Sequence, residues 1–208
     1  SMDEYIDTAL LELQHVKSKQ VHHGPSKHTP PTYSAKIKYV EDSNLPLLNA
    51  SKIKHIQKVI GKLLFMAQAV DNTQLHALNE LASKAAKGTQ HTLDAANYIL
   101  NYIASNPRPR TRYQASDMIL QIDSDASFQV CEQARSRAGG YHYLTSKDNT
   151  LFNAPIEVIA KIIKPVMGSA AKAEVAALHL NAQEAIPLRY CLEELGHTQP
   201  ATIMRTDN

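Results

Sequence analysis

Four carboxylates stand where strand and helix geometry would let them act together. In Gln121-Ile122-Asp123-Ser124-Asp125-Ala126-Ser127, the two-residue period of a strand puts Asp123 and Asp125 on one face, near a strand end. Glu174 falls in an early turn of an alanine-rich run, Ser169-Ala170-Ala171-Lys172-Ala173-Glu174, so it can face inward without crowding. Asp207 closes a short apolar run. Converging carboxylates repel one another unless a cation offsets the charge. Magnesium is a hard ion that prefers oxygen ligands, and a pair of such ions can activate water and stabilise a leaving oxygen in phosphodiester cleavage. On spacing alone, the plainer reading of a surface Asp, a helix Glu and a terminal Asp is the stronger one.

A second chemistry is electrostatic. Between Ser51 and Arg112 there are nine basic and three acidic residues, a local excess of six positive charges against +2 for the whole chain. Lys54, Lys58 and Lys62 recur every fourth residue and share one helix face, which suits phosphate neutralisation with counterion release or, more plainly, a solvated surface. Other suggestive groups carry less. His15, His22, His23 and His28 lie in a polar stretch without ligand-type spacing. Gly139-Gly140 lacks the Lys-Ser/Thr and following helix of a phosphate loop, and reads as a turn or strand start. Tyr98, Tyr102 and Tyr113 could stack on bases, but Tyr98 and Tyr102 share a helix face, which suits packing.

The elements that must position these groups are legible in outline. Tyr5, Ile6, Ala9, Leu10, Leu13 and Val16 predict a short helix over 5–16. A polar, proline-bearing linker follows to about Thr32, and 33–50 shows no period. Three helices come next. Ser51 caps the first, with stripe Ile53, Ile56, Val59, Ile60, Leu63, Leu64 and Ala67. Asp71 caps the second, which stops at Gly88. Thr89 or Thr92 opens the third, which ends at Asn106-Pro107. Beyond Pro109, strands are expected at 118–122, 139–144 and 156–166, with a hairpin-type connection around Lys147-Asp148-Asn149. Ser169 caps a long helix to Leu195, kinked or split by Pro187 and closed by Gly196. Ala201–Thr206 suits a buried strand. The fold class is mixed α+β: a helical bundle, then a mixed sheet with one long helix. Three segments follow: an extended lead-in and linker at 1–50, a helical domain at 51–109 and a sheet domain at 110–208.

The chain has 208 residues, 43% hydrophobic and 20% charged, which excludes a wholly disordered or fibrous protein. No apolar run of about 18 residues exists, so no membrane span is expected. The N-terminus lacks the basic start and apolar core of a secretory signal. Cys131 and Cys191 lack metal-type spacing, and an intracellular setting with both thiols buried or idle is expected.

Several strings together resemble one family. Ser124-Asp125-Ala126-Ser127, Ala134-Arg135-Ser136-Arg137-Ala138-Gly139-Gly140-Tyr141, Ser169-Ala170-Ala171-Lys172-Ala173-Glu174, Glu194-Leu195-Gly196-His197 and Thr206-Asp207-Asn208 resemble the ribonuclease H domain of copia-type LTR retrotransposon Pol polyproteins. Upstream, Val59-Ile60-Gly61-Lys62-Leu63-Leu64-Phe65 with Ala69-Val70-Asp71-Asn72-Thr73 is similar to the thumb and connection of the reverse transcriptase, and Ser1-Met2-Asp3-Glu4-Tyr5-Ile6 to the exit from its palm. The resemblance implies a truncated ribonuclease H-like fold. It makes Asp125 the first catalytic carboxylate on the first strand, Glu174 the second on the first helix and Asp207 the third at the end of the fourth strand. Asp123 would be an extra acid outside that set. Ser127, Arg135 and Arg137 would lie near the nucleic-acid backbone, and Lys54, Lys58 and Lys62 would grip duplex. The cofactor would be Mg2+ or Mn2+, two ions in the parent domain.

The resemblance also implies departures. No Tyr-x-Asp-Asp motif is present, so no polymerase site is expected. The family continues past the position of Asn208 with further helices, a fifth strand and a fourth acidic ligand, so this chain is expected to be a fragment, a decayed copy or a trimmed piece, weak or inactive alone. Lys172 stands where the family often has an acid, and a cation beside Glu174 would compete with metal. The implied function is hydrolysis of the RNA strand of RNA–DNA hybrids; the alternative is a non-catalytic nucleic-acid-binding module or a relic. Partners would be hybrid or duplex nucleic acid and the rest of the Pol polyprotein, with no membrane, and self-association through an exposed sheet unless residues 1–50 cover it. The expected location is cytoplasmic, in a virus-like particle, or nuclear.

Overall fold

The computed structural model describes residues 2, 4–27 and 45–207. They fall into two units, 2–27 with 45–111, and 112–207. Together they hold five α-helices and one four-stranded mixed sheet. His28 and the linker expected across 28–44 lie outside the described residues.

The first unit is helical. Helix α1 (Tyr5–Glu12) buries Ile6, Ala9 and Leu10. It forms inside the helix expected over 5–16, belongs to this unit and packs on α4, so the 1–50 segment contributes helical core as well as lead-in. The polar stretch after it also docks: the His15 ring meets Asn101 Oδ1 at 2.8 Å, and the His22 ring stands edge-on to Tyr98 at 4.3 Å. Helix α2 (Ala50–Ala69) starts earlier than expected, because the Asn49 side chain rather than Ser51 accepts the Lys52 N–H as its cap. Its stripe of Ile56, Val59, Leu63 and Met66 is fully buried. Asp71 opens a 3-10 turn, Asn72–Gln74, leading into α3 (Leu75–Lys84); its carboxylate accepts from the Thr73 hydroxyl and the Gln74 amide. Thr89 opens α4 (Gln90–Ser105) through a reciprocal capping box with Thr92.

The second unit is the sheet. Strands β1 (Ile119–Cys131), β2 (Arg135–Thr145), β3 (Pro155–Ile162) and β4 (Ile203–Arg205) lie in the order β3-β2-β1-β4. The first three are antiparallel neighbours, and β4 pairs parallel with β1. Helix α5 (Ala170–Glu194), capped by the Ser169 side chain, crosses between the edge strands and packs on β1 and β2. Pro187 does not split it: the helical run passes through, anchored on either side by Ala185 and Leu192 against Leu120 and Ile122. Toward the helix N-terminus, Ala173 and Ala177 pack on Ala138 and Ile163. The segment expected as a buried strand is instead a three-residue edge strand, with Ile203 44% exposed, because only β1 lies beside it.

Candidate metal centre

Asp125 lies in the middle of β1, opposite Gly139 of β2. Glu174 is in the second turn of α5, and Asp207 follows β4 by two residues. One carboxylate oxygen from each falls within 4.8 Å of the others. The register explains how. Arg205, the last residue of β4, pairs with Asp123, so the chain two residues on arrives level with Asp125. Alternation puts Asp125 on the sheet face away from α5, since Ile122 and Ala126 pack toward the helix. Where β4 has ended, the edge of β1 is open, and the carboxylates of strand and helix meet there.

Glu174 is buried, whereas Asp125 and Asp207 are exposed. Burial raises the Glu174 pKa most, and the negative charges of Asp125 and Asp207 add to that; the Ala126 N–H and the Thr206 hydroxyl pull it back by donating hydrogen bonds to the carboxylate. The Thr206 bond is 3.4 Å long. A buried acid held between two others, each offering hard oxygen, is the donor chemistry that suits Mg2+ or Mn2+. Lys172, where the resemblance implies a competing cation, is exposed, two helix positions from Glu174.

The other expected site residues are dispersed. Asp123 is apart from the trio, beside Tyr141 and Tyr143, with one carboxylate oxygen buried and unpartnered. Burial raises the Tyr143 pKa first and Asp123 raises it further, while Arg205 opposes both. Ser127 is exposed two positions beyond Asp125 on the same face of β1. Arg135 is half-buried and donates to the Glu132 carbonyl. Arg137 is only 7% exposed and donates from Nη1 to the Ala160 carbonyl of β3 at 3.4 Å. In the helical unit the lysine row is partly engaged by α1: Lys62 forms an ion pair with Glu12, and Lys58 Nζ donates to the Glu12 carbonyl at 3.2 Å. Lys54 has no ion-pair partner among the described residues.

Sequence reasoning missed the residues that fix the third carboxylate. Gln199 stands where a strand partner for the start of β1 would be: its Oε1 accepts the Leu120 N–H and its Nε2 donates to the Met118 carbonyl. Arg189 of α5 donates to the carbonyls of Gln199 and Pro200 and to the Thr202 hydroxyl. Arg205 then packs against Gln121; with the Gln121 amide oriented to suit its neighbours, its oxygen accepts from the Arg205 guanidinium and the Tyr143 hydroxyl. In sequence, Gln199 reads as part of a polar loop and Arg189 as a solvated helix residue, so neither carried a signal. Comparison with family models, with curated proteins and with solved structures finds no match to this chain. Among the described residues, no helix is long and apolar enough to cross a membrane.

Proposed function

We propose that the sheet unit is a ribonuclease H-like domain of the copia-type Pol lineage, whose activity is metal-dependent hydrolysis of the RNA strand of RNA–DNA hybrids. The observation that carries this reading is the approach of Asp125, Glu174 and Asp207 to within 4.8 Å. They occupy the first strand, the first helix of the unit and the end of the fourth strand, the places that the resemblance assigns to catalytic carboxylates. The antiparallel β1-β2-β3 run followed by a helix and a parallel β4 is consistent with it.

The three carboxylates would hold the divalent ions. When bound, such ions supply an activated water and stabilise the leaving oxygen of a phosphodiester. The chain's own residues do the rest. The Ala126 N–H and the Thr206 hydroxyl orient Glu174. Exposed Asp125 and Asp207 form the rim at which a nucleic-acid backbone would arrive, with the Ser127 hydroxyl alongside. Arg189, Gln199 and Arg205 hold β4 in register and so position Asp207.

Two readouts test the reading in the intact protein. Mn2+ is expected to broaden the amide resonances of Ala126, Gly139 and Asp207 first. A hybrid labelled on its RNA strand is expected to be cut in Mg2+ or Mn2+, slowly, since two-metal hydrolysis depends on a complete, shaped site. Asp125→Asn and Glu174→Gln should abolish both effects. Cutting that survives both substitutions, or an absence of Mn2+ broadening at the trio, would sink it. A purely electrostatic nucleic-acid module is less well supported, because Lys58 and Lys62 already serve α1.

A further inference from the structure

Helix α5 has a second apolar face that the sheet does not use. Its inward stripe is Ala173, Ala177, Ala185 and Leu192. A helix packed on one side of a sheet ordinarily turns a polar face to water. Here Val175, Ile186 and Tyr190 point the other way and are 65%, 53% and 64% exposed. With Leu178 and Ala182 between them, they recur at spacings of three and four residues, so they form one stripe along the helix rather than scattered apolar residues.

The charges at the ends of this stripe are placed against the helix's own field. A helix dipole favours acidic groups in the first turn and basic groups in the last. The first turn of α5 has no acid and the last no base. Lys172 instead sits at the N-terminal end of the outer stripe, and Glu193 and Glu194 at its C-terminal end. Glu193 is 3.6 Å from Arg189, and Glu194 has no ion-pair partner among the described residues. Within one copy Arg189 offsets Glu193, but Lys172 and Glu194 stay set against the helix field. Against an antiparallel second copy the arrangement is complementary.

We propose that the outer face of α5 is a two-fold dimer interface between copies of this chain. Antiparallel pairing sets Lys172 opposite the second copy's Glu193 and Glu194, Val175 opposite Tyr190, and His179 opposite Ile186. Ala182 lies at the axis, where a small side chain lets the two helices approach. The contact is isologous and closes on itself, as a two-fold interface must. A single helix pair is smaller than a standard stable interface, so the dimer is weak, roughly micromolar or weaker. This inference does not depend on the nuclease reading, because the face lies opposite the one that carries Glu174 toward the sheet.

Sedimentation velocity of the intact protein at rising concentration tests it. The expected result is a monomer–dimer equilibrium that tightens at low salt. Ile186→Glu should weaken it at least about tenfold, by placing an unpaired charge in the contact. Lys172→Glu alone should also weaken it. Combining Lys172→Glu with Glu193→Lys and Glu194→Lys should restore it. These positions are exposed, so circular dichroism of each variant should match the parent. In a Cys191→Ser background, Ala182→Cys should form a disulfide-linked dimer under mild oxidation. A monomer at every concentration overturns the proposal. So does an association indifferent to Ile186→Glu, which would instead place the contact elsewhere, such as a sheet edge, and so does failure of the charge-swapped triple variant to recover.

Discussion

At the residue scale, Glu174 and Gly140 account for most of what is unusual about the sheet unit. The folded-state pKa of Glu174 is raised above its ordinary value, chiefly by burial and then by Asp125. The folded protein therefore binds this proton more tightly than the unfolded chain does. The group's contribution to stability is present below the unfolded pKa and is lost as pH rises through the folded value. Metal binding should run the opposite way, since only the ionised carboxylate is a ligand. Mn2+ affinity should climb as pH rises through the raised Glu174 range, and the metal-free protein should lose stability over the same interval. Glu174→Gln should flatten both profiles; urea melts and Mn2+ titrations at a series of pH values will tell. Gly140 is a packing requirement. A Cβ there would stand 1.8 Å from Asn181 Oδ1. That amide is fully buried and joins four groups: its Oδ1 accepts from the His142 Nε2–H at 2.8 Å, and its Nδ2 donates to the Ser124 hydroxyl and to the Gly139 and Ala177 carbonyls. Displacing it leaves buried partners unsatisfied, so Gly140→Ala should cost about 2–3 kcal/mol in chemical denaturation. Adding Asn181→Ala should recover part of that loss, a non-additivity that a generic strand defect would not produce. In sequence the Gly139-Gly140 pair lacks the context of a phosphate loop; the reason for Gly140 is Asn181, on a different element, while a Cβ at Gly139 would meet only ordinary contacts.

At the element scale, the helices were legible and the strands much less so. The stripe of Ile56, Val59 and Leu63, the Thr89 cap, the Asn106-Pro107 stop and the Ser169 start all act locally, within a few residues, so the sequence carries them. Strand β1, expected over 118–122 with Asp123 and Asp125 near its end, runs on to Cys131. Its middle, Asp123 to Ser127, is polar and low in strand propensity, so strand formation there depends on β2 supplying a partner. The β1–β2 turn was equally hidden. The Arg135 N–H closes onto the Glu132 carbonyl across Gln133 and Ala134, both at positive φ (60° and 53°), the geometry of a tight hairpin turn. Asn-Gly would announce such a turn; Gln-Ala does not. Gln129, also at positive φ, makes room for the two extra residues by which β1 bulges between Ser127 and Cys131. Left-handed backbone costs a non-glycine residue roughly 1–2 kcal/mol. Ala134→Gly should therefore stabilise the protein by about 1 kcal/mol, seen as a higher urea midpoint with an unchanged slope. A decrease would mean that the Ala134 side chain makes contacts worth more than the strain. The candidate carboxylates fared better than the strands that carry them, because acid type and element order were visible even where strand length was not.

At the scale of the whole molecule, each unit has its own core, and the metal cluster belongs entirely to one of them. Ile56, Val59, Leu63, Leu78, Ile99 and Ile103 are buried in the helical unit; Leu120, Ile122, Ala138, Ala173 and Ala177 are buried in the sheet unit. A ligand stabilises only the cooperative unit whose folded form binds it, by RT ln(1 + [L]/Kd). At ten times the dissociation constant this is about 1.4 kcal/mol, or roughly an elevenfold slowing of exchange for amides that open only with that unit. Mn2+ or Mg2+ at such a concentration should slow hydrogen exchange at buried β1, β2 and α5 amides by that factor and leave the α2, α3 and α4 amides as they were. Calcium, with its larger and looser coordination, should protect less at equal concentration. Asp125→Asn should erase the protection while leaving metal-free exchange close to the parent pattern, because Asp125 is exposed and its loss relieves repulsion on Glu174. Protection spread equally over both units, or retained in Asp125→Asn, would mean that the cation acts by general screening of charge, and the three carboxylates would then have no claim to be its site.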